Sequence, residues 1–226
     1  MARCNTRNTP ESAKLFDGRT LGRVGRWLGM VCLVLTLVGP AAAATRTALF
    51  FGDSITAGYG LDPDEAYPAV IQRKLTAAGL DWRVVNAGLS GETTSGGLRR
   101  LDWILRQKVD IFVIALGGND GLRGITPEVS RQNLQGMIDR IRAKQPGVTV
   151  VLAGMQMPPN MGPDYTTAFR QIFPELAAAN RTPLVPFLLE GVGGIPELNQ
   201  ADQIHPTAEG QKIVAENVWA VIRPLL

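Results

Sequence analysis

Histidine occurs once in the 226 residues, at position 205, and cysteine only twice, at positions 4 and 32. With one imidazole, and with Asp and Glu scattered at no metal-ligand spacing, the chain lacks the side chains of a zinc centre. No G-x-G-x-x-G turn and no Walker lysine follows any apolar run, so the sequence marks of dinucleotide and P-loop binding are missing. Long hydrophobic runs are missing too. The longest, residues 27–38, is about a dozen residues against the ~20 that span a bilayer as a helix.

That short run has a setting of its own. Arg19, Arg23 and Arg26 precede it, Gly39-Pro40 breaks it, and Ala41 to Ala44 supply the small side chains of a peptidase cleavage site. Residues 1–44 therefore read as a signal peptide, with an uncleaved anchor as the alternative, and residues 45–226 as the working domain. Both cysteines fall in the leader, so the exported part has no disulfide, thiol nucleophile or thiolate ligand. The net charge of +3 also belongs to the leader, because residues 45–226 carry 17 basic against 18 acidic groups. Apparent basicity thus gives no support for nucleic-acid binding. The expectation is a periplasmic or secreted monomer with no membrane span after processing.

Along residues 45–226, apolar runs alternate with helical patterns. Strands are expected at residues 47–51, 83–85, 110–116, 148–153 and 184–187. Helices are expected at residues 65–78, 94–107, 127–144 (capped by Thr126) and 165–179, with a last helix opening at Pro206. Strict alternation implies an α/β protein: a flavodoxin-like three-layer α/β/α domain on a parallel sheet of about five strands. Ligands in such sheets bind beyond the carboxyl ends of the strands, and the polar, glycine-rich segments fall there.

Two segments carry candidate chemistry. In Asp202-Gln203-Ile204-His205-Pro206, an aspartate three residues before the only histidine can fix its tautomer for base catalysis; equally, Asp202 can cap a turn leading into a helix. In Gly52-Asp53-Ser54-Ile55-Thr56, a serine follows a buried strand on a turn facing solvent. The G-x-S-x-G elbow is not matched, since Thr56 stands at its last position, and Asp53 or Ser54 capping a helix is the bland alternative. Arg99 and Arg100 read as a solvated helix face and Arg123 as a surface charge within reach of an anionic substrate. Leu122, Met155, Met157 and Pro158 leave the carboxyl edge of the sheet and suit either core or an acyl pocket.

Four blocks in order make a more specific pattern: Gly52 to Thr56; Ser90-Gly91-Glu92-Thr93; Gly117-Gly118-Asn119-Asp120; and Asp202 to His205. This resembles the SGNH (GDSL-type) hydrolase family, and the surrounding residues look most like its periplasmic thioesterase I/lysophospholipase L1/arylesterase branch. The resemblance implies Ser54 as nucleophile, His205 as base and Asp202 as its orienting partner. It implies an oxyanion hole from the N–H groups of Ser54 and Gly91 and the side-chain amide of Asn119. Asp53 stays outside the triad as a structural partner of the turn. Leu122, Met157 and Pro158 become the substrate-binding candidates, with no metal or organic cofactor needed. The implied reaction is hydrolysis of small-molecule carboxylic esters or thioesters through an acyl-serine. The rivals are a carbohydrate O-deacetylase and a non-catalytic ligand-binding protein of flavodoxin-like shape.

Overall fold

The computed structural model describes residues 44–226; the expected signal peptide, residues 1–44, lies outside them except for Ala44. Five strands form one parallel sheet: β1 (Arg46–Gly52), β2 (Trp82–Asn86), β3 (Ile111–Ala115), β4 (Thr149–Ala153) and β5 (Leu184–Val185), in the order β2-β1-β3-β4-β5. Central β3 is buried along its whole length and β1 from Thr47 onward, as a strand covered by helices on both faces must be. Edge strand β2 is only partly covered.

The connections are α1 (Ser54–Ala57), α2 (Tyr67–Ala77), α3 (Thr94–Ile104), α4 (Gly118–Leu122), α5 (Pro127–Lys144), α6 (Pro163–Asn180) and α7 (Ala208–Ile222). On one face α2 packs against α7; on the other α3 packs against α5, and α5 against α6. The flavodoxin-like three-layer arrangement expected from the alternation is the one observed. Between them lies a core of β1 and β3 side chains (Leu49, Phe50, Phe51, Phe112, Ile114) with Ile71, Leu101, Ile138, Phe169 and Val218. Among the described residues, no helix is long and apolar enough to cross a membrane.

The strand order reverses between β1 and β3, which are hydrogen-bonded neighbours in register from Ala48↔Ile111 to Gly52↔Ala115. Chains leaving this pair diverge to opposite faces and open a crevice, the position where doubly wound sheets bind ligands. Asp53-Ser54 leaves β1 there, and Gly117 to Asn119 follows β3.

Several boundaries differ from expectation. The second helix starts at Tyr67, because Pro68 is tolerated only in the first turn. Thr126 stands at the N-cap of α5 but makes no side-chain cap bond. The terminal helix opens at Ala208, where the Thr207 hydroxyl, not Pro206, sets its start by accepting from the Gly210 N–H. Strand β5 is two residues long instead of four, since Pro186 cannot donate to the ladder.

Candidate active site

Asp53 ends β1 by capping the one-turn helix α1, its carboxylate accepting from the Ile55 N–H at 3.0 Å. This leaves Ser54 at the first helical position, where a backbone N–H has no intrahelical acceptor. Its side chain is not on a solvent-facing turn: Ser54 is only 8% exposed. The turn is held from behind by α7. Buried Gln211 donates to the Ile55 carbonyl at 3.0 Å and accepts from the Tyr67 N–H at 2.9 Å.

His205 comes from a loop 151 residues away, yet its Nε2 lies 2.9 Å from Ser54 Oγ. Its Nδ1 lies 2.6 Å from Asp202 Oδ2, while Asp202 Oδ1 accepts from the N–H groups of Ile204 (2.9 Å) and His205 (3.0 Å). Asp202 thus caps its own turn and faces the imidazole at once. A carboxylate on Nδ1 fixes that nitrogen as the donor and leaves Nε2 to accept from the serine hydroxyl. These bonds favour the charged carboxylate, above all the bond from the His205 ring, and hold Asp202 down at about 2. Gln203 completes the turn at φ +58°, in the left-handed region that costs a side chain energy. Tyr59 lies over the imidazole with ring centroids 4.5 Å apart, a contact that no sequence spacing announces.

Asn119 sits in the first turn of α4, its Nδ2 reaching 3.5 Å from Asp53 Oδ2. Gly91 has φ +76°, accessible at low cost only without a Cβ. In its loop the N–H groups of Leu89 and Glu92 are bonded within the fold and that of Gly91 is not. Gly88 lets this loop lie against the nucleophile turn, because a Cβ there would collide with the backbone of Ala57. Asp120, fully buried, accepts from the Thr94 N–H (2.8 Å) and hydroxyl (2.5 Å), tying α3 to α4. Ser54 and Asn119, on the short helices α1 and α4, and Gly91, Asp202 and His205, on loops, thus stand at one end of the sheet.

Leu122, Met157 and Pro158 do line one cavity, of about 390 Å³, with Ile55 beside the serine and Met155 and Phe187. That volume lies in the range of small-molecule pockets. Met155 is both core and lining, 3% exposed. Arg100 corrects its sequence reading: it faces inward to the buried Glu92 and over the ring of Phe51, not to solvent.

Asp53 carries a measurable cost. Burial is the largest influence on its carboxyl and pushes it up to about 6, against the Ile55 N–H bond that favours the anion. The folded state therefore holds this proton between pH 4 and 6 where the unfolded chain has lost it, so stability from this group falls as pH rises through that window. Asp53→Asn, which keeps the acceptor for Ile55, is expected to raise unfolding free energy at pH 8 by up to about 3 kcal/mol. The gain should vanish below pH 4. Urea unfolding at the two pH values measures it, and equal gains at both would contradict the buried charge.

The profile of the GDSL-like Lipase/Acylhydrolase family matches residues 50–213. The chain belongs to that family. It is 48% identical over 196 residues to Esterase TesA of Pseudomonas aeruginosa, covering 86% of this chain and 96% of the relative. It is 37% identical over 204 residues to Thioesterase 1/protease 1/lysophospholipase L1 of Escherichia coli K12, covering 90% and 95%. The crystal structure of TesA superposes with a TM-score of 0.77 at 48% identity, over 80% of this chain and 100% of that one. The chain is accordingly an SGNH serine hydrolase of the esterase/thioesterase kind, with the α/β fold of its solved relatives.

Proposed function

We propose that this enzyme hydrolyses carboxylic esters and thioesters by acyl transfer to Ser54, then to water. The observation that carries the reading is the unbroken relay from Asp202 through His205 to Ser54, at 2.6 and 2.9 Å. Ser54 Oγ bonds to the acyl carbon while its proton passes to His205 Nε2, and Asp202 balances the imidazolium. The oxyanion accepts from the N–H groups of Ser54 and Gly91 and from Asn119 Nδ2, donors of a kind worth about 3–4 kcal/mol each. Collapse breaks the C–O or C–S bond, and the leaving alkoxide or thiolate takes the proton from Nε2. Water then attacks the acyl-serine with His205 again as base, which releases the acid and restores the hydroxyl.

The acyl chain enters the cavity beside Ile55, where Met157 is a flexible wall, Leu122 an exposed one and Met155 a buried one. An apolar lining suits an aliphatic or aromatic acyl group better than the small polar site of a sugar deacetylase. A panel of p-nitrophenyl acetate and longer p-nitrophenyl esters, acyl-CoA, lysophospholipid and an acetylated oligosaccharide tests this. The expected order places the longer acyl esters and thioesters above the acetylated sugar in kcat/KM; the reverse order would assign a deacetylase. We further propose that residues 1–44 direct export to the periplasm or exterior and that the enzyme acts there as a monomer. Amino-terminal sequencing of the exported protein tests the cut, and a mature protein that still begins at residue 1 would contradict it.

A further inference from the structure

The oxyanion reading places a demand on a segment with little support of its own. Gly91 stands in the loop after β2, an edge strand whose ladder partner among the described residues is β1. Two main-chain bonds fix the start of that loop to β1: Ala87 N–H to the Phe50 carbonyl at 2.8 Å and Leu89 N–H to the Gly52 carbonyl at 3.0 Å. Between Leu89 and Glu92 the one bond from main chain to main chain runs from the Glu92 N–H to the Leu89 carbonyl. The far end is tied where Thr94 opens α3, by its N–H and hydroxyl on buried Asp120, and the span that carries Gly91 lies between the two anchors; a misplacement of about 1 Å at a catalytic group can cost ~10²-fold in rate.

Arg100, on α3, meets both ends. Its Nη2 donates to the Ala87 carbonyl at 2.8 Å and reaches the Gly52 carbonyl at 3.4 Å, directly before the Asp53-Ser54 turn. Its Nε donates to the carboxylate of Glu92, the residue after Gly91. The guanidinium carbon lies 4.2 Å from the centroid of Phe51, and the Glu92 side chain is only 6% exposed. Gly96 leaves room for this approach, since a Cβ there would press on Glu92 Oε1. From the opposite side Arg123 donates to the Gly91 carbonyl at 3.1 Å.

We propose that the half-buried Arg100 and the buried Glu92 it pairs with are a positioning device for the oxyanion loop, fixing the Gly91 N–H relative to Ser54. Stability alone does not account for it. Taking two charges out of water costs enough that an apolar pair of similar volume is often equally stable. An apolar pair cannot do what one rigid guanidinium fork does, which is to hold two carbonyls and a carboxylate at set distances. The inference rests on the reading of Ser54 and Gly91 above.

The test replaces the pair by Arg100→Met with Glu92→Leu. The double variant is expected to fold, with an unfolding midpoint near that of the wild type, and to lose ~10–100-fold in kcat with KM within about threefold. If it fails to fold, the single Glu92→Gln decides: it keeps shape and an acceptor for Arg100, and kcat is expected to fall several-fold at constant KM. Arg100→Lys, which keeps charge without the fork, should stay below wild type. A folded double variant with kcat within twofold of wild type overturns the proposal, as does a rise in KM at constant kcat. Failure of the underlying reading is separately visible, because wild-type enzyme would then not be labelled by a fluorophosphonate at Ser54.

Discussion

Ser54→Ala should give a folded protein that turns over an aryl ester ~10⁵–10⁶-fold more slowly than wild type, the scale on which serine hydrolases lose activity without their nucleophile. The change removes one oxygen whose partner is His205 Nε2 at 2.9 Å. The backbone N–H of residue 54 and the amide of Asn119 remain, so a residue of catalysis above water persists, as expected when an oxyanion site outlives its nucleophile. Asp53 still caps α1 through Ile55, and Gln211 still holds the turn from α7, so the unfolding midpoint should move little. Steady-state kinetics with circular dichroism measure both. Turnover within tenfold of wild type in a folded variant would remove Ser54 from the reaction.

His205→Ala should cost nearly as much, for a separate reason. Among 226 residues it is the only imidazole, and among the described residues no other base lies within hydrogen-bond distance of Ser54 Oγ. Removing it leaves the hydroxyl protonated and a gap between the Asp202 carboxylate and the Tyr59 ring, where the imidazole had sat. Because members of such a relay act as a unit, the loss should match that of Ser54→Ala, and the double variant should be no slower than either single one. Additive losses would show that the two groups work independently. Added imidazole should restore part of the single variant's turnover by entering that gap.

These expectations were partly legible before any coordinates. Strands such as residues 110–116 are apolar on both faces, and that continuous pattern reads as a central parallel strand because only burial on both sides tolerates it. The sheet and its helical layers follow from the alternation. The helices that carry the site residues did not show: α1 and α4 span four and five residues, too short for a 3.6-residue period to declare itself. Ser54 and Asn119 were found through motif, not periodicity.

Arg100 shows where a local reading fails. An arginine on an amphipathic helix is usually solvated, and its partners here, Glu92 eight residues away and Gly52 forty-eight away, fall at no helical spacing. Tyr59 over His205 is likewise a contact made by the fold. Met155 suits core or pocket equally by its sequence, and it is both, because the cavity floor is the core at that end of the sheet.

The central claim is that Ser54 is an activated nucleophile, and covalent labelling tests it most directly. Wild-type enzyme treated with a fluorophosphonate, digested and mapped by mass spectrometry should carry one adduct, on the peptide containing Ser54. The adduct should be absent in Ser54→Ala. An adduct on another serine, such as Ser90, or no adduct on an enzyme that still turns over esters, would contradict the account.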